Sequence, residues 1–415
     1  MQKLNSYWSI IILFALMTCL FNFRPLVGGR MEAIGAVFIP IGLFVLGAKT
    51  IYLRSFKYNI SIFVLLLLAM FLMSPLVGAI SRNQNPNPMV AAKFLPVSVF
   101  YVLLAYRFKV NDITKAVKWL IVIYALILAQ AYFLAPNNIL GYRDITNNDI
   151  NSMINNRGVM RFAVPGADFV VMAIFLVLTK MEKGFKFYAL LMLLFVLCFL
   201  RGTRVVFFSV ILLSAIGFAF RYKSKLTIAF AAMVIGLSVF FTFETLKDSR
   251  SQDPLTRFVQ SATHQLETRQ DGTEDIRIMM GAFFFTKFNQ NQTQVIIGNG
   301  IRGSKSEYDR MLNYYNINFG FWLEDSGFVM IYIYFGLVGV VLYLLLFVYI
   351  ILLRLPRKYL WAKYFILNQF LILIANTGLL LSTGSLLFGI ALYVVYRGQQ
   401  AMHVLHVSSR ELVRF

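Results

Sequence analysis

Apolar residues in this chain gather into long runs separated by short charged breaks, and one long polar stretch interrupts them from Glu244 to Asp325. The runs fall at residues 7–23, 33–53, 60–80, 89–106, 117–135, 162–179, 185–200, 203–220, 226–243, 326–353, 359–376 and 379–397. Most approach the roughly 20 residues that a helix needs to cross the hydrocarbon core of a bilayer. The pattern therefore predicts an all-α polytopic membrane protein of about twelve transmembrane helices with one large outer loop. The predicted division is 1–243 for the first nine spans, 244–325 for the loop, 326–397 for the last three spans and 398–415 for a tail. The tenth span is long for one crossing, and Gly336 and Gly339 mark where it would break. The first run lacks a small-residue cleavage site after it, so it reads as a retained span.

Composition agrees with this division. Hydrophobic residues make up 59% of the 415 and charged residues only 14%, against about 25% charged in a soluble domain. The net charge of +21 raises the question of nucleic acid, but its distribution answers it. With the N-terminus inside, the alternate loops on that side hold roughly twice as many Lys and Arg as the short outer loops. The basic excess is thus a topology signal and an attraction to anionic membrane lipid; no clustered basic face for nucleic acid emerges. Most of the 18 acidic residues fall in the long loop. Within it, Asp275–Lys287 carries Ile276, Met279, Met280, Phe283 and Phe284 at helical spacing, which predicts a helix lying on the membrane surface. Cys19 and Cys198 lie inside apolar runs and imply neither disulfide nor metal. No His, Cys, Asp and Glu set has metal-ligand spacing, so no metal and no cofactor is expected.

Candidate chemistry concentrates at outer helix ends. Glu324 and Asp325 stand just before the tenth span. Carboxylates there suit the helix dipole and capping; they equally suit taking a proton from a sugar hydroxyl. Outer arginines run against the charge trend, so each needs a partner: Arg157 and Arg161 before the sixth span, Arg201 and Arg204 around a sharp turn, Arg277 and Arg302 in the long loop. Guanidinium groups match phosphate oxygens, and headgroup snorkelling is the alternative. Asp168 sits inside a span, where a charge is costly; a structural ion pair and a ligand contact are both open. His264 lies in the polar loop and is a second candidate base or a solvated side chain. Gly298–Gly303 fits a dinucleotide glycine pattern but lacks the strand–helix setting; it reads as a flexible loop allowing backbone to approach a ligand.

The segment FGFWLEDSGFVMIYIYFGLVG, Phe319–Gly339, carries a charged residue at Asp325 and then aromatic-Gly-x-x-Gly at Phe335–Gly339. With Thr203-Arg204 opening a span, Arg277 opening a semi-apolar helix and Gly298-Asn299-Gly300 following, it resembles the O-antigen ligase and polymerase superfamily. Ligases of that family typically hold a histidine where Asp325 stands, so the resemblance favours the polymerase branch. It implies a GT-C-like glycosyltransferase bundle in a bacterial inner membrane, with both termini cytoplasmic and the loop periplasmic. It also implies metal-independent, inverting joining of undecaprenyl-diphosphate-linked oligosaccharide units into a surface polysaccharide such as O-antigen or capsule. Asp325, aided by Glu324, would act on the acceptor; Arg204, Arg277 and Arg161, with Arg201 and Arg302, would bind diphosphate. A chain-length regulator protein is an admissible partner. The alternatives are a ligase transferring glycan to lipid A core or protein and, in another class, a lipid-linked oligosaccharide flippase. Concentration of charge in one outer loop, without a visible repeat, ranks transport lower.

Overall fold

The computed structural model describes residues 8, 10–13, 38–54, 59–134, 168–182, 184–200, 204–222, 276–303, 306–374, 377, 380 and 382–412. Among these residues the regular elements are all helical. They are α1 (Ile39–Arg54), α2 (Asn59–Arg82), a 3-10 segment (Pro88–Ser98), α3 (Val99–Ala105), α4 (Val110–Leu134), α5 (Asp168–Lys180), α6 (Phe185–Leu200) and α7 (Arg204–Tyr222). After the polar stretch come α8 (Ile276–Thr286), α9 (Gln292–Ile297), α10 (Glu307–Phe319), α11 (Gly327–Leu352), α12 (Leu360–Ile372) and α13 (Ser382–Leu412). The expected spans at 7–23 and 226–243 lie wholly or largely outside the described residues.

Among the described residues two helices, α2 and α11, are long and apolar enough to cross a membrane. Each presents protein on one side and bare apolar side chains on the other. On α2, Ile60, Val64, Leu67, Leu68 and Phe71 are buried while Leu66, Leu72, Met73, Leu76 and Ile80 are exposed. On α11 the first part, Val329–Phe335, is buried throughout, and beyond Gly336 the residues Leu337, Val338, Val341, Leu344, Leu345 and Val348 are exposed. By contrast α5 is buried from Phe169 to Thr179 without interruption, as an all-apolar helix in the middle of a bundle must be.

Three expectations change. The run at 89–106 is not one helix: Pro88 opens a 3-10 segment, Pro96 sits inside it, and α-helix begins only at Val99. Proline removes the amide that a continuous α-helix needs. This segment packs among α1, α2 and α13, and a Cβ on Gly389 of α13 would meet the Val97 carbonyl at 2.7 Å. Second, α4 starts at Val110, so Lys115 and Lys118 are helical. Third, α13 continues to Leu412, through most of the stretch expected to be a tail. The break foreseen in the tenth span is present: Gly336 has φ 63° and ψ −161°.

Helix directions define two ends of the bundle. The Phe328 amide at the start of α11 donates to the Leu373 carbonyl just past α12 (3.1 Å). At the other end of the same pair, Lys363 Nζ donates to the Ile351 and Leu353 carbonyls, both at 2.8 Å. α11 and α12 are therefore antiparallel. α5 is antiparallel to α12 as well, since Phe175 meets Tyr364 (ring centroids 5.9 Å apart) and Arg357 Nε donates to the Thr179 carbonyl (3.1 Å). Glu324, Leu373 and Asp168 share one end; Arg357, Lys180 and Lys363 share the other.

Candidate active site

The break in α11 builds the site. At Gly336 the helix leaves α geometry, which frees the Ile333 and Tyr334 carbonyls just before it. The Asn299 amide donates to Ile333 O (2.9 Å) and the Gly300 amide to Tyr334 O (3.0 Å). Backbone meets backbone so closely that side chains are excluded. A Cβ on Gly298 (φ 86°) would stand 2.5 Å from Tyr334 O and 2.6 Å from the Gly336 nitrogen, and one on Gly336 would strike the Ile296 carbonyl. Gly300 (φ 73°) makes the same close approach to Gly78 and Ser74 of α2. The glycine string is thus not a flexible loop awaiting a ligand: its partner is the backbone of α11 and α2.

Side chains lock this junction. Asn299 is fully buried. Its Oδ1 accepts from Arg82 Nε (2.7 Å), and its Nδ2 donates to Asn289 Oδ1 (2.9 Å) and Ile333 O (3.0 Å). The Ile301 amide donates to Ser74 Oγ (2.7 Å), and the Gly303 amide to Gln84 Oε1 (2.8 Å). α9 is held in place by Asn291, whose side chain accepts from the Gln294 amide, while Gln294 Nε2 donates to the Ser81 carbonyl (2.9 Å). Every buried polar group at the junction that finds such a partner avoids a cost of about 1–3 kcal/mol.

The junction aims Arg302. Its Nη2 lies 3.2 Å from Glu324 Oε1, its Nη1 donates to Asn313 Oδ1 at 3.5 Å, and its Nε is 3.8 Å from Asp309 Oδ1. Asp309 and Asn313 come from α10, which starts where Ser306 caps the Asp309 amide and stops at left-handed Gly320. Glu324 sits in a 3-10 turn, Leu323–Asp325, whose Glu324 carbonyl accepts from Thr377 Oγ1 (3.3 Å). Its second carboxylate oxygen, Oε2, is buried with no hydrogen-bond partner among the described residues.

Lys93 arrives from the 3-10 segment. Its ammonium lies 5.3 Å from the Phe94 ring centroid and 5.9 Å from that of Tyr334, within cation–π range. The fields of Arg302 and Glu324 both reach it. Among the described residues it has neither an ion-pair partner nor a hydrogen bond. Beneath it Phe94, Phe71 and Phe335 form an aromatic trio with centroids 5.1–5.9 Å apart, tying the 3-10 segment, α2 and α11 together. Beside it, the Tyr334 hydroxyl is buried without a hydrogen-bond partner among the described residues, and so is that of Tyr308. Burial drives the Tyr308 pKa well above the ordinary tyrosine value; the Tyr334 hydroxyl adds to this, while Arg82 and Arg302 pull the other way. The result is a carboxylate with one open oxygen, two cations and a neutral phenol. Such a set favours an anionic ligand that also carries hydroxyl groups.

Asp325 shares the Glu324 turn and donates its amide to the Trp322 carbonyl (2.9 Å), but it is Glu324 that meets Arg302. Ser326 occupies the N-cap position of α11 without a side-chain cap bond. Asp168 opens α5 and Arg204 opens α7 at the Glu324 end. Arg277 lies in the first turn of α8, which rests on α11 through Phe285 and Tyr332 (4.7 Å). For Arg204 and Arg277 only the helix position is described, and Arg157, Arg161, Arg201 and His264 lie outside the described residues. The apolar side of α8 expected to rest on a membrane is turned partly inward: Met280 and Phe284 are buried, while Ile278, Met279 and Phe285 are exposed. Phe284 packs on Phe288, Tyr315 and Phe321. Lys93, Arg82, Tyr308 and Tyr334 were not singled out by sequence reasoning. Lys93 left a readable signal, being the single charge in the apolar run Met89–Ala105; the tyrosines left none.

Among the described residues, no group of three or more His, Cys, Asp or Glu side chains could hold a metal ion. The chain matches no family model and no curated protein.

Proposed function

We propose that this chain is a membrane-embedded glycosyltransferase that joins undecaprenyl-diphosphate-linked oligosaccharides into a surface polysaccharide at the outer face of a bacterial inner membrane. One observation carries the reading. Glu324, Lys93 and Arg302 converge at one end of an apolar helix bundle, with Glu324 Oε2 and the Tyr334 hydroxyl buried beside them and, among the described residues, without a hydrogen-bond partner. The outward apolar side chains of α2 and α11 support a bilayer setting, and the charge asymmetry supports cytoplasmic termini. The order of the Asp325, Gly336 and Gly298–Gly300 elements supports the polymerase branch of the O-antigen ligase and polymerase superfamily.

In this mechanism the acceptor hydroxyl oxygen attacks the anomeric carbon of the lipid-linked donor. The bond from that carbon to the diphosphate oxygen breaks, and the diphosphate leaves with the electron pair. The hydroxyl proton passes to Glu324 Oε2, the oxygen not engaged by Arg302. Lys93 and Arg302 offset the charge growing on the leaving group, with Arg204 and Arg277 as further diphosphate ligands by resemblance. A single displacement inverts the anomeric configuration. Tyr334, neutral and buried, donates to a sugar oxygen.

The test is reconstitution of the full chain in lipid nanodiscs with a lipid-linked oligosaccharide as both donor and acceptor. A ladder of products supports the polymerase; no ladder there, but a single product once lipid A core is added as acceptor, would make it a ligase. Translocation of the oligosaccharide without a new glycosidic bond would replace the reading with transport.

A further inference from the structure

The end of the bundle opposite Glu324 carries a second charged cluster of a different kind. Lys180, the last residue of α5, donates from Nζ to Thr114 Oγ1 of α4 (2.9 Å). Lys118 lies one turn along α4 from Thr114, on the same face. Arg357 donates from Nε to the Thr179 carbonyl (3.1 Å), which leaves both its terminal nitrogens without a partner among the described residues, and Lys358 is its neighbour in sequence. Lys118, Arg357 and Lys358 are exposed, and Lys180 is half-buried between them. None of the four has an ion-pair partner among the described residues. The nearest acidic residues in sequence do not fill that role: Asp112 points about 200° around α4 from Thr114, and Glu182 is exposed past the end of α5. Burial, with Lys358 and Lys118 adding repulsion, lowers the Lys180 pKa to about 8. Four converging cations that repel one another call for an anion, and a guanidinium held at Nε with its outer fork open is shaped for two phosphate oxygens. Level with them, Trp119, Phe185 and Tyr188 are exposed, the aromatic placement found where headgroups meet acyl chains.

We propose that Arg357, Lys180, Lys118 and Lys358 form a binding site for the phosphate of an anionic phospholipid in the leaflet opposite Glu324. The site rests on the bilayer setting given above and not on the transfer reaction, so a chain that made no polysaccharide would leave it standing.

Native mass spectrometry of the full chain, exchanged into phosphatidylglycerol or phosphatidylcholine, tests it. The wild type should retain phosphatidylglycerol and not phosphatidylcholine. Lys118→Gln with Lys358→Gln should weaken retention by about fivefold for each lysine removed. Lys287→Gln with Arg310→Gln removes the same charge from exposed positions at the Glu324 end and should leave retention unchanged. Equal losses in the two double variants, or no loss in either, would overturn the site. Displacement of the retained lipid by millimolar inorganic phosphate would assign the cluster to a soluble anion and overturn the lipid assignment.

Discussion

The two ends of the helix bundle are both charged, yet they are built on opposite principles. At the Glu324 end, charges of both signs converge on half-buried positions: Arg302 against Glu324 and Asp309, with Lys93 beside them. They are delivered by irregular backbone, namely a 3-10 segment, a 3-10 turn and a glycine junction. At the Arg357 end the cluster is cationic only, mostly exposed, and delivered by α4, the end of α5 and the 3-10 turn Arg357–Tyr359 that leads into α12. Mixed charge in a partly dry setting holds a proton acceptor next to electrophilic stabilisation, which is what bond making requires. Charge of one sign at a helix end attracts an anion and does nothing further to it. The contrast is the reason we propose chemistry at one end and anchorage at the other.

The strongest way to break this contrast is to deny the Glu324 end its backbone junction. Gly298→Ala and Gly336→Ala each put a Cβ into backbone atoms at a positive φ. Each should cost more than about 3 kcal/mol, read as a large drop in unfolding temperature in detergent. Gly184→Ala, with open space around it, should be silent in the same measurement. Next in size is the acid itself. Glu324→Gln should cut transfer by about 100-fold or more in the nanodisc assay, whereas Asp325→Asn should cost far less because Asp325 does not hold Arg302. A reversed order would return the base role to Asp325.

Lys93→Met sharpens the comparison between cations. It should raise KM for the lipid-linked donor by about tenfold with only a small change in unfolding temperature, since among the described residues the ammonium has no ion pair or hydrogen bond to lose, only its ring contacts with Phe94 and Tyr334. If Lys118→Gln raised that KM as much, the division between the two ends would fail. The smallest effect belongs to Tyr308. Its folded pKa lies above the unfolded value of about 10, so above that pH the unfolded chain releases a proton that the folded chain keeps, and stability falls as pH rises. Tyr308→Phe should flatten the fall above pH 10 while changing stability at neutral pH by less than about 1 kcal/mol, as denaturant titrations across pH would record.

Much of the helix inventory was legible because apolar period and length report it directly. α2, α6, α7 and α11 begin and end within a few residues of the runs 60–80, 185–200, 203–220 and 326–353. The break at Gly336 was legible too, from excess length plus glycine. What misled was equivalence of composition. Met89–Ala105 is as apolar as a span, but Pro88 and Pro96 redirect it, and its single charge, Lys93, ends within the field of Glu324. The glycines at 298 and 300 read as a flexible loop approaching a ligand, whereas the atoms they approach belong to the backbone of α11 and α2. Glu324 and Asp325 are adjacent and chemically alike, so only the turn geometry separates the one that meets Arg302.

The splice at Gly336 also sets how the molecule can deform. Asn299 and Gly300 are stitched to the strip of α11 that precedes the break, so Arg302 and Glu324 ride on one rigid block. Lys93 is tied to the same block, because Phe94 packs on Phe71 and Phe335 and the ammonium lies over the Tyr334 ring, with Phe335 and Tyr334 both before the break. Tilting the lower part of α11 about Gly336 therefore moves its outward apolar side chains and leaves carboxylate, guanidinium and ammonium at a fixed spacing. Movement of the surrounding lipid is taken up below the splice, and a molecule seated above it would not feel it.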